Sequence, residues 1–534
     1  MRRDTMRARA ADQSGYVERD GVRIYYEASG SGPATILVLP TWSVMDASHG
    51  RFQVADLSRR YRVVTFDPRG NGRSDRPQDG AAYAGAQFVQ DAVAVLDATG
   101  TDAAVVVACS VAANWLLALA AEHPDRVLGA IASGSGLPLA PGYDRPEMAP
   151  FDQPYRSTDG WAKFNAEYWR THYEDFLRFF FSSVWSEPHS ERLIDTSVAC
   201  GLGTTPETLI QTVGGNLTAD QAKELLGRTR CPWLVIHGER DDAQPHARGA
   251  ALAEAANGSL VTLLGAGHCS GNRDPVQFNL VVREFIEEVL PWRPRVRTWA
   301  RARSRSPRVL MMPGAGPDTL ARDLAIAAAL RTRRPDLRVE WLAPQPTGAE
   351  LIARGEALHP ASAELVSRSV AADAATEEDA FTTWRSSDEL HFVDFMVLHD
   401  LVADEPVDLV VADGAWGIDH HLHENPEMKQ FAFAWVTDFV GWIPEPDADD
   451  RRRYLMVDAN AEMIEQVERY PRIRDAAFFV GEVDDLPEIS FGPELPPIRE
   501  WARDRFAFVG PGSNDAGPTS SAVQRVVDRL AELV

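Results

Sequence analysis

The chain has 534 residues, of which 45% are hydrophobic and 25% are charged, and its formal net charge is -24. Its length predicts at least two domains, and its composition is typical of soluble globular proteins. The acidity argues against wholesale nucleic-acid binding, and no apolar run is long enough to cross a bilayer.

The two remaining compositional signals concern targeting and cysteine. The Arg-rich start of the chain leads into no apolar segment of the kind found in signal peptides. The four cysteines, Cys109, Cys200, Cys231 and Cys269, lack CxxC spacing. Their scattered positions are typical of reduced thiols and give no indication of a zinc site. We therefore expect a cytoplasmic protein with no nucleic-acid and no membrane partner.

Strand and helix patterns alternate from residue 16 to residue 290, after fifteen residues that we predict to be disordered. A hairpin pattern surrounds Asp20-Gly21, a common turn pair. Apolar runs then predict buried strands, over 35–39, 61–66, 105–107, 127–132, 233–237 and 260–264. This alternation predicts an α/β fold, with a mostly parallel sheet and helices on both faces.

The pattern breaks between about residues 138 and 222, where aromatic helical stretches such as Phe176–Phe181 replace the strands. An insertion between core strands predicts a helical cap over the top of the sheet. We interpret most of its aromatic side chains as the cap's own core. They also suggest a small-molecule substrate that is bulky and largely apolar.

A candidate nucleophile, Ser110, lies where a β-branched run stops and helix-forming residues begin. A strand, a sharp turn and a helix with serine at the turn is the layout of a nucleophile elbow. The usual pattern is Gly-x-Ser-x-Gly, and Ala108 and Ala112 stand in place of the two glycines. The alternative nucleophile, Cys109, would put two valines in those tight positions, which we reject on steric grounds.

Two later loops supply the partners that a serine nucleophile needs. Asp241 follows one predicted strand end and His268 follows the next. A histidine takes the proton from the serine hydroxyl, and an acid holds and stabilises the imidazole. The chain order Ser110, Asp241, His268 is that of one specific triad arrangement. The adjacent Asp242 is the rival acid.

Residues 16–290 resemble an esterase-like α/β-hydrolase. The similarity is carried by four segments, Thr65–Ser74, Ala121–Val127, Val235–Gly238 and Gly265–His268. The resemblance implies an acid three residues after Gly238, which favours Asp241 over Asp242. It also implies an oxyanion hole formed by the backbone N–H groups of Trp42 and Val111. Such donors are usually the largest electrostatic contribution to acyl transfer. The family's His-Gly before the oxyanion residue is replaced here by Pro40-Thr41.

An arginine run over residues 291–307 predicts an exposed interdomain linker, with a nucleic-acid patch as the alternative. A second set of strand and helix patterns follows, beginning with a strand at 308–312 and a Gly-rich loop at 313–318. We predict a Rossmann-like α/β domain over 308–510. Residues 511–534 are predicted to form a C-terminal tail with one short helix.

Residues 308–510 resemble the N-terminal half of a two-lobed glycosyltransferase of the GT-B kind. The matching segments are Arg322–Ala327, Asp408–Asp413 and Phe431–Trp435. A second lobe that would hold the nucleotide-sugar cannot fit in the residues that remain. We therefore expect a binding, scaffolding or dimerising domain, and a homo-oligomer stays open.

A histidine-rich run invites a metal hypothesis, because His420 and Glu424 would share one helical face. The run lacks the His-Glu-x-x-His order of zinc proteases, so we interpret it as a solvated or capping cluster. We expect no metal and no cofactor.

Together these features predict acyl chemistry on an ester, lactone or thioester through a Ser110 acyl-enzyme, in natural-product metabolism. Two alternatives share the same pocket: a non-hydrolytic cyclase or lyase with His268 as base, and a non-catalytic binding or scaffold protein. Glycosyl transfer is the least favoured alternative, because the donor lobe is missing.

Overall fold

A computed structural model describes residues 7–290, 305–314, 316–367, 381, 384, 387–443, 450–510 and 520–534. The chain divides into two compact units, Arg9–Arg293 and a second unit made of Met1–Ala8 with Pro294–Val534. Across the described residues, no helix combines the length and the apolar character needed to cross a bilayer.

The first unit is built on an eight-stranded sheet. Its strands are β1 (Gln13–Arg19), β2 (Val22–Ser29), β3 (Thr35–Val38), β4 (Arg62–Phe66), β5 (Ala104–Cys109), β6 (Val127–Ser133), β7 (Trp233–Gly238) and β8 (Ser259–Leu263). Their order across the sheet is β1-β2-β4-β3-β5-β6-β7-β8. β2 pairs antiparallel with both β1 and β4, and the remaining pairs are parallel. The predicted mostly parallel sheet is confirmed.

The hairpin at the start of this sheet corrects the prediction of a disordered N-terminus. β1 begins at Gln13, which pairs with Ala28, so residues 13–15 are ordered. The turn is formed by Asp20 and Gly21, both with positive φ, as a tight two-residue hairpin requires. Residues 1–6 lie outside the described part of the chain.

Helices cover both faces of the sheet. They are α1 (Arg51–Leu57), α2 (Gly85–Ala98), α3 (Ala112–Glu122), α4 (Ala166–Val184), α5 (Glu191–Gly201), α6 (Pro206–Gln211), α7 (Ala219–Leu226), α8 (His246–Ala255), α9 (Ser270–Arg273) and α10 (Pro275–Val289). Successive side chains of a strand point to opposite faces, so Val106 packs under α2 and α3. Val105 and Val107 pack in the core on the other side, with α1 and α10. The unbroken apolar run of β5 follows from burial on both faces.

The cap consists of α4 to α7, preceded by irregular chain from residue 134. Its last helix continues to Leu226, so the predicted boundary at 222 is four residues short. A core of its own contains Trp169, Phe176 and Phe181, all at most 2% exposed. Most of the aromatic side chains thus act as cap core, as we interpreted them.

The loop after β4 is fixed by buried charges, which explains its distinctive sequence. Arg69 donates two hydrogen bonds to the Asp91 carboxylate on α2, at 2.7 and 2.6 Å, and both side chains are buried. Asp67 accepts the backbone N–H of Arg73 at 2.7 Å. A Cβ at position 72 would lie 2.2 Å from that Asp67 carboxylate, so only glycine fits at Gly72.

The second unit contains a six-stranded, fully parallel sheet. Its strands are β9 (Arg308–Met312), β10 (Arg338–Trp341), β11 (Leu409–Asp413), β12 (Ala432–Thr437), β13 (Ala476–Phe479) and β14 (Ala507–Phe508), in the order β10-β9-β11-β12-β13-β14. Its helices are α11 (Pro317–Arg333), α12 (Thr347–Ala353), α13 (Asp388–Asp404), α14 (Trp416–Glu424), α15 (Asp450–Arg469), α16 (Ile498–Arg505) and α17 (Ser521–Leu533). A second parallel sheet fits the predicted α/β architecture.

The short helix predicted near the C-terminus is present as α17, but it is not a tail. Val523, Val526, Val527 and Leu530 of α17 are buried in the core of the second unit, together with apolar residues of α11. These four residues follow the i, i+3, i+4, i+7 spacing of one helical face, which must be covered. The second unit therefore extends to the end of the chain.

The prediction of an exposed linker also needs correction at its end. Residues 291–304 lie outside the described part of the chain. Arg305 donates two hydrogen bonds to Asp408. Arg308 is buried and bonds to Glu340 at 2.8 Å. These two arginines belong to the second unit, because each has a carboxylate partner within it.

Candidate active site

Ser110 lies on a sharp turn between β5 and α3. Its φ is +58°, a left-handed conformation that side chains other than glycine rarely adopt. The turn is held by its backbone, since the Ser110 N–H donates to Ser133 O at 2.9 Å and Ser110 O accepts from Gly136 N at 3.1 Å. Ala108 and Ala112 are buried at the two tight positions, so alanine is small enough for this turn.

The structure brings Asp241 and His268 together at the carboxyl ends of β7 and β8. Oδ2 of Asp241 lies 2.8 Å from Nδ1 of His268, and both side chains are buried. Oδ1 of Asp241 accepts the N–H groups of Ala243 and Gln244, at 2.9 and 2.7 Å. The neighbouring Asp242 contributes its backbone oxygen to Arg145 instead. With Nδ1 engaged by Asp241, His268 keeps Nε2 for other contacts.

The charge of this pair is set by burial and by mutual attraction. Burial lowers the pKa of His268, but the charge and the hydrogen bond of Asp241 outweigh burial and raise it to about 9. For Asp241, burial raises the pKa, while the charge of His268 and hydrogen bonds from His237 and His268 lower it below its ordinary value. The imidazole must therefore release a proton before it can act as a base.

A cavity of about 280 Å³ joins these groups beneath the cap. Ser110 and His268 both line it, as do Trp42 and Val111. Six aromatic side chains contribute to its wall: Trp42, Trp161, Phe164, Phe180, Phe181 and Trp185. All the predicted catalytic and oxyanion residues except Asp241, which lies behind His268, border one space.

Arg145 adds a cation to this otherwise largely apolar wall. Its guanidinium carbon lies 3.3 Å from the ring centroid of Trp161, and Nη2 donates to Asp242 O at 2.7 Å. Within the described residues, no carboxylate oxygen approaches Arg145 within 4.0 Å. Burial lowers its pKa. The position suits an anionic group inside the cavity.

Side-chain hydrogen bonds fix the loop that carries Trp42, one of the two predicted oxyanion residues. The Thr41 hydroxyl donates to Cys109 O at 3.0 Å, which ties the loop after β3 to the end of β5 just before Ser110. The Trp42 ring donates to Thr212 at 2.6 Å. In the part of the chain that the structure describes, the backbone N–H groups of Trp42 and Val111 donate to no protein acceptor. Both can therefore meet a developing oxyanion.

Several residues of this site were missed in the sequence. A Cβ at Gly134 would lie 2.9 Å from Nδ1 of His268, so glycine is needed there. Nε2 of His237 lies 3.1 Å from Oδ2 of Asp241. Glu187 accepts the N–H of Gly267 at 2.6 Å and so holds the His268 loop. The run of small residues after β6 was a usable signal for Gly134, whereas Glu187 lies in the cap without any motif.

Cys109 and Cys269 meet beside the site although 160 positions separate them. Their Sγ atoms are 3.9 Å apart and both side chains are buried, as small hydrophobic residues would be. Hydrogen bonds from Cys269 and from His49 lower the pKa of Cys109 well below its ordinary value. The bond to Cys109 and burial raise the pKa of Cys269. Neither cysteine was expected near the other.

The histidine-rich run forms a second cluster, on α14. His420 Nε2 lies 3.3 Å from Glu424 Oε2, so the predicted shared face exists. The interpretation of a solvated cluster is wrong for His421 and His423, which are buried. Ligand atoms of His420, His421 and Glu424 lie within 4.8 Å of one another, a spacing that a metal ion could use.

Comparison with known proteins gives matches to the first half of the chain. The model of the alpha/beta hydrolase fold family matches residues 39–271. RutD of Caulobacter sp. strain K31, a protein named for carbamate hydrolysis, is 30% identical over 281 residues, which cover 51% of this chain and 98% of RutD. A shorter match of 75 residues, 44% identical, covers 14% of this chain and 28% of RutD from Caulobacter segnis. The solved enol-lactonase from Burkholderia xenovorans LB400 is 25% identical, with a TM-score of 0.43, over 51% of this chain and 99% of that structure.

Proposed function

Because the chain belongs to the α/β-hydrolase family, we propose that its first unit hydrolyses an ester, lactone or thioester through an acyl-enzyme on Ser110. The observation that carries the proposal is the buried pair of Asp241 and His268 at 2.8 Å, whose imidazole borders one cavity with a serine held at φ +58°. A nucleophile, a base and an acid that orients the base are the groups that serine hydrolysis uses.

In the proposed mechanism, Ser110 Oγ attacks the substrate carbonyl carbon while Nε2 of His268 takes the hydroxyl proton. Asp241 holds the Nδ1–H and stabilises the imidazolium that forms. The N–H groups of Trp42 and Val111 would stabilise the negative oxygen of the tetrahedral intermediate. His268 then gives its proton to the leaving group, and a water molecule activated by the same imidazole releases the acid and regenerates Ser110.

The cavity wall supports a largely apolar substrate that carries one anionic group. Six aromatic side chains contribute to the wall together with aliphatic residues such as Val44, Met45 and Val184, and Arg145 supplies a positive charge. Small-molecule sites enclose about 300–1,000 Å³, so about 280 Å³ favours a molecule of moderate size. A largely apolar acid of this kind is consistent with natural-product metabolism, and with a role inside the cell.

The test is covalent labelling with a fluorophosphonate, followed by intact mass. We expect one adduct on the wild type, none on Ser110→Ala, and strongly slowed labelling of His268→Ala. Ser182→Ala is the matched serine control, because Ser182 lies on the exposed face of α4; this variant should label like the wild type. An unlabelled wild type that is folded by circular dichroism would reject the acyl-enzyme and favour non-hydrolytic chemistry in this pocket.

For the second unit we propose a binding or scaffolding role. We also propose that this unit is related to the N-terminal half of a two-lobed glycosyltransferase. The parallel six-stranded sheet supports this relation. Arg322 pairs with the Asp413 carboxylate at the carboxyl end of β11, so this carboxylate already has a partner within the chain. A thermal-shift screen with nucleotide-sugars should show no stabilisation; a shift of the unfolding temperature with such a donor would revive glycosyl transfer.

A further inference from the structure

Two thiols and one imidazole converge beside Ser110 in a way that the proposed reaction does not use. Sγ of Cys109, Sγ of Cys269 and a ring nitrogen of His268 lie within 4.8 Å of one another. All three side chains are buried, and the residues come from the end of β5 and from the loop after β8. The absence of CxxC spacing predicted no zinc site, but this cluster is assembled by the fold from distant residues.

The spacing of the two sulfur atoms matches the demand of a tetrahedral metal. Two Zn–S bonds of about 2.3 Å at the tetrahedral angle separate their sulfur atoms by about 3.8 Å. The distance between Cys109 Sγ and Cys269 Sγ is 3.9 Å. A disulfide needs about 2.05 Å between the same atoms, so it would require both side chains to move. A bound ion would leave the sulfur atoms where they are.

The surroundings offer a third ligand. Nδ1 of His268 is held by Asp241, which leaves Nε2 for a metal and supplies the carboxylate partner that metal-bound histidines usually have. A cavity of about 20 Å³ borders Cys109, Cys269 and His49 but not His268, so an ion shared with the imidazole would lie outside it.

We propose that Cys109, Cys269 and His268 form a binding site for one thiophilic divalent ion of the zinc class. Both thiols would lose their protons to solvent on binding, because thiolates are the ligands. The second part of the proposal rests on the proposed function: an ion on Nε2 of His268 removes the base of Ser110 and so stops hydrolysis. Metal and substrate turnover would then exclude each other.

Binding is tested first by titrating the reduced full chain with Cd²⁺ and following its ultraviolet thiolate charge-transfer band. We expect one ion per chain with this band, and binding weaker by on the order of tenfold or more in Cys109→Ser and in Cys269→Ser. Cys231→Ser is the matched control, since Cys231 precedes β7 at the opposite end of the sheet. Absence of the band in the wild type, or a band that persists in both variants, overturns the site.

X-ray absorption of the Zn²⁺-loaded wild type keeps the proposal testable even where a variant fails to fold. Two sulfur ligands support the site, whereas nitrogen and oxygen ligands alone would overturn it and point to His420, His421 and Glu424.

The inhibitory part of the proposal is tested by labelling. Zn²⁺ should slow fluorophosphonate labelling of Ser110 at least tenfold, and a chelator should restore it. Undiminished labelling at saturating Zn²⁺ overturns inhibition. If the metal-free wild type is not labelled by fluorophosphonate, the acyl-enzyme is rejected. The Cd²⁺ titration still decides whether the metal site exists.

Discussion

Gly134 and His268 are in close contact, since a Cβ on Gly134 would lie 2.7 Å from the carbonyl oxygen and 2.9 Å from Nδ1 of His268. The Gly134 φ of +51° is also one that glycine tolerates best. The loop after β6 thus packs directly against His268, whose imidazole is hydrogen-bonded to Asp241. The polar catalytic groups alone do not reveal that position 134 must be glycine, because glycine contributes no side chain to the site.

Gly134→Ala is therefore predicted to damage the reaction more than the fold. The added methyl group must displace His268, and a shift of about 1 Å in a catalytic group costs on the order of 10² in rate. Gly100→Ala is the matched control, because Gly100 has a φ of +63° and no atom within 4 Å of its Cβ position. Backbone strain should cost both variants about 1–2 kcal/mol of unfolding free energy, and the clash with the His268 carbonyl oxygen should cost Gly134→Ala more. Equal kcat values for the two variants would disprove the contact argument.

The pH dependence of the reaction should reveal the pair of Asp241 and His268. His268 acts as a base only when neutral, and its pKa is raised to about 9. We expect kcat/KM to rise with pH up to about pH 9, as the imidazolium loses its proton. In Asp241→Asn the charge that raises this pKa is gone while burial still lowers it, so the rising limb should move to lower pH. The rate should fall by on the order of 10³–10⁴.

Asp242→Asn is the control for that experiment, since Asp242 was the rival acid and differs from Asp241 by one position. Its backbone oxygen, not its carboxylate, makes the contact to Arg145. A pH–rate profile that matches the wild type within a few tenths of a pH unit is expected. If Asp242→Asn moved the limb and Asp241→Asn did not, the assignment of the acid would be reversed.

Much of the first unit could be predicted because its signals are local. The unbroken apolar run of β5 follows from burial on both faces, and the Asp20-Gly21 turn needs only its own two residues. Contacts between distant segments could not be predicted in the same way. Cys109 and Cys269 meet only because β5 and β8 end at the same edge of the sheet, so their spacing in the sequence carries no signal. The burial of α17 depends likewise on α11, a helix that lies about 200 residues earlier in the chain.

Substrate selection should depend on Arg145. For an aryl or alkyl ester that carries a carboxylate, Arg145→Met is expected to raise KM by about 10- to 100-fold, because a charge-assisted hydrogen bond contributes roughly 1.5–3 kcal/mol. For the neutral isosteric ester KM should hardly change. Arg145→Lys should recover part of the loss, since it keeps the charge without the planar fork.

The control for Arg145 is Arg170→Met, on the exposed surface of α4. It removes the same charge from the cap without touching the cavity wall, so both esters should behave as with the wild type. Equal KM changes for the charged and neutral esters in Arg145→Met would show that Arg145 packs against Trp161 without binding an anion.

The last helix should be required for the stability of the second unit. Leu530 on α17 is fully buried, and truncation of a buried leucine to alanine costs about 2–5 kcal/mol through lost burial and the cavity left behind. Leu530→Ala should therefore lower the free energy of unfolding of this unit by that amount in urea titrations. Glu532→Ala, two residues further along on the exposed face of the same helix, should change it by less than about 0.5 kcal/mol. Because Ser110 lies in the other unit, both variants should keep wild-type labelling by fluorophosphonate. A Leu530→Ala protein as stable as Glu532→Ala would mean that α17 is a tail after all.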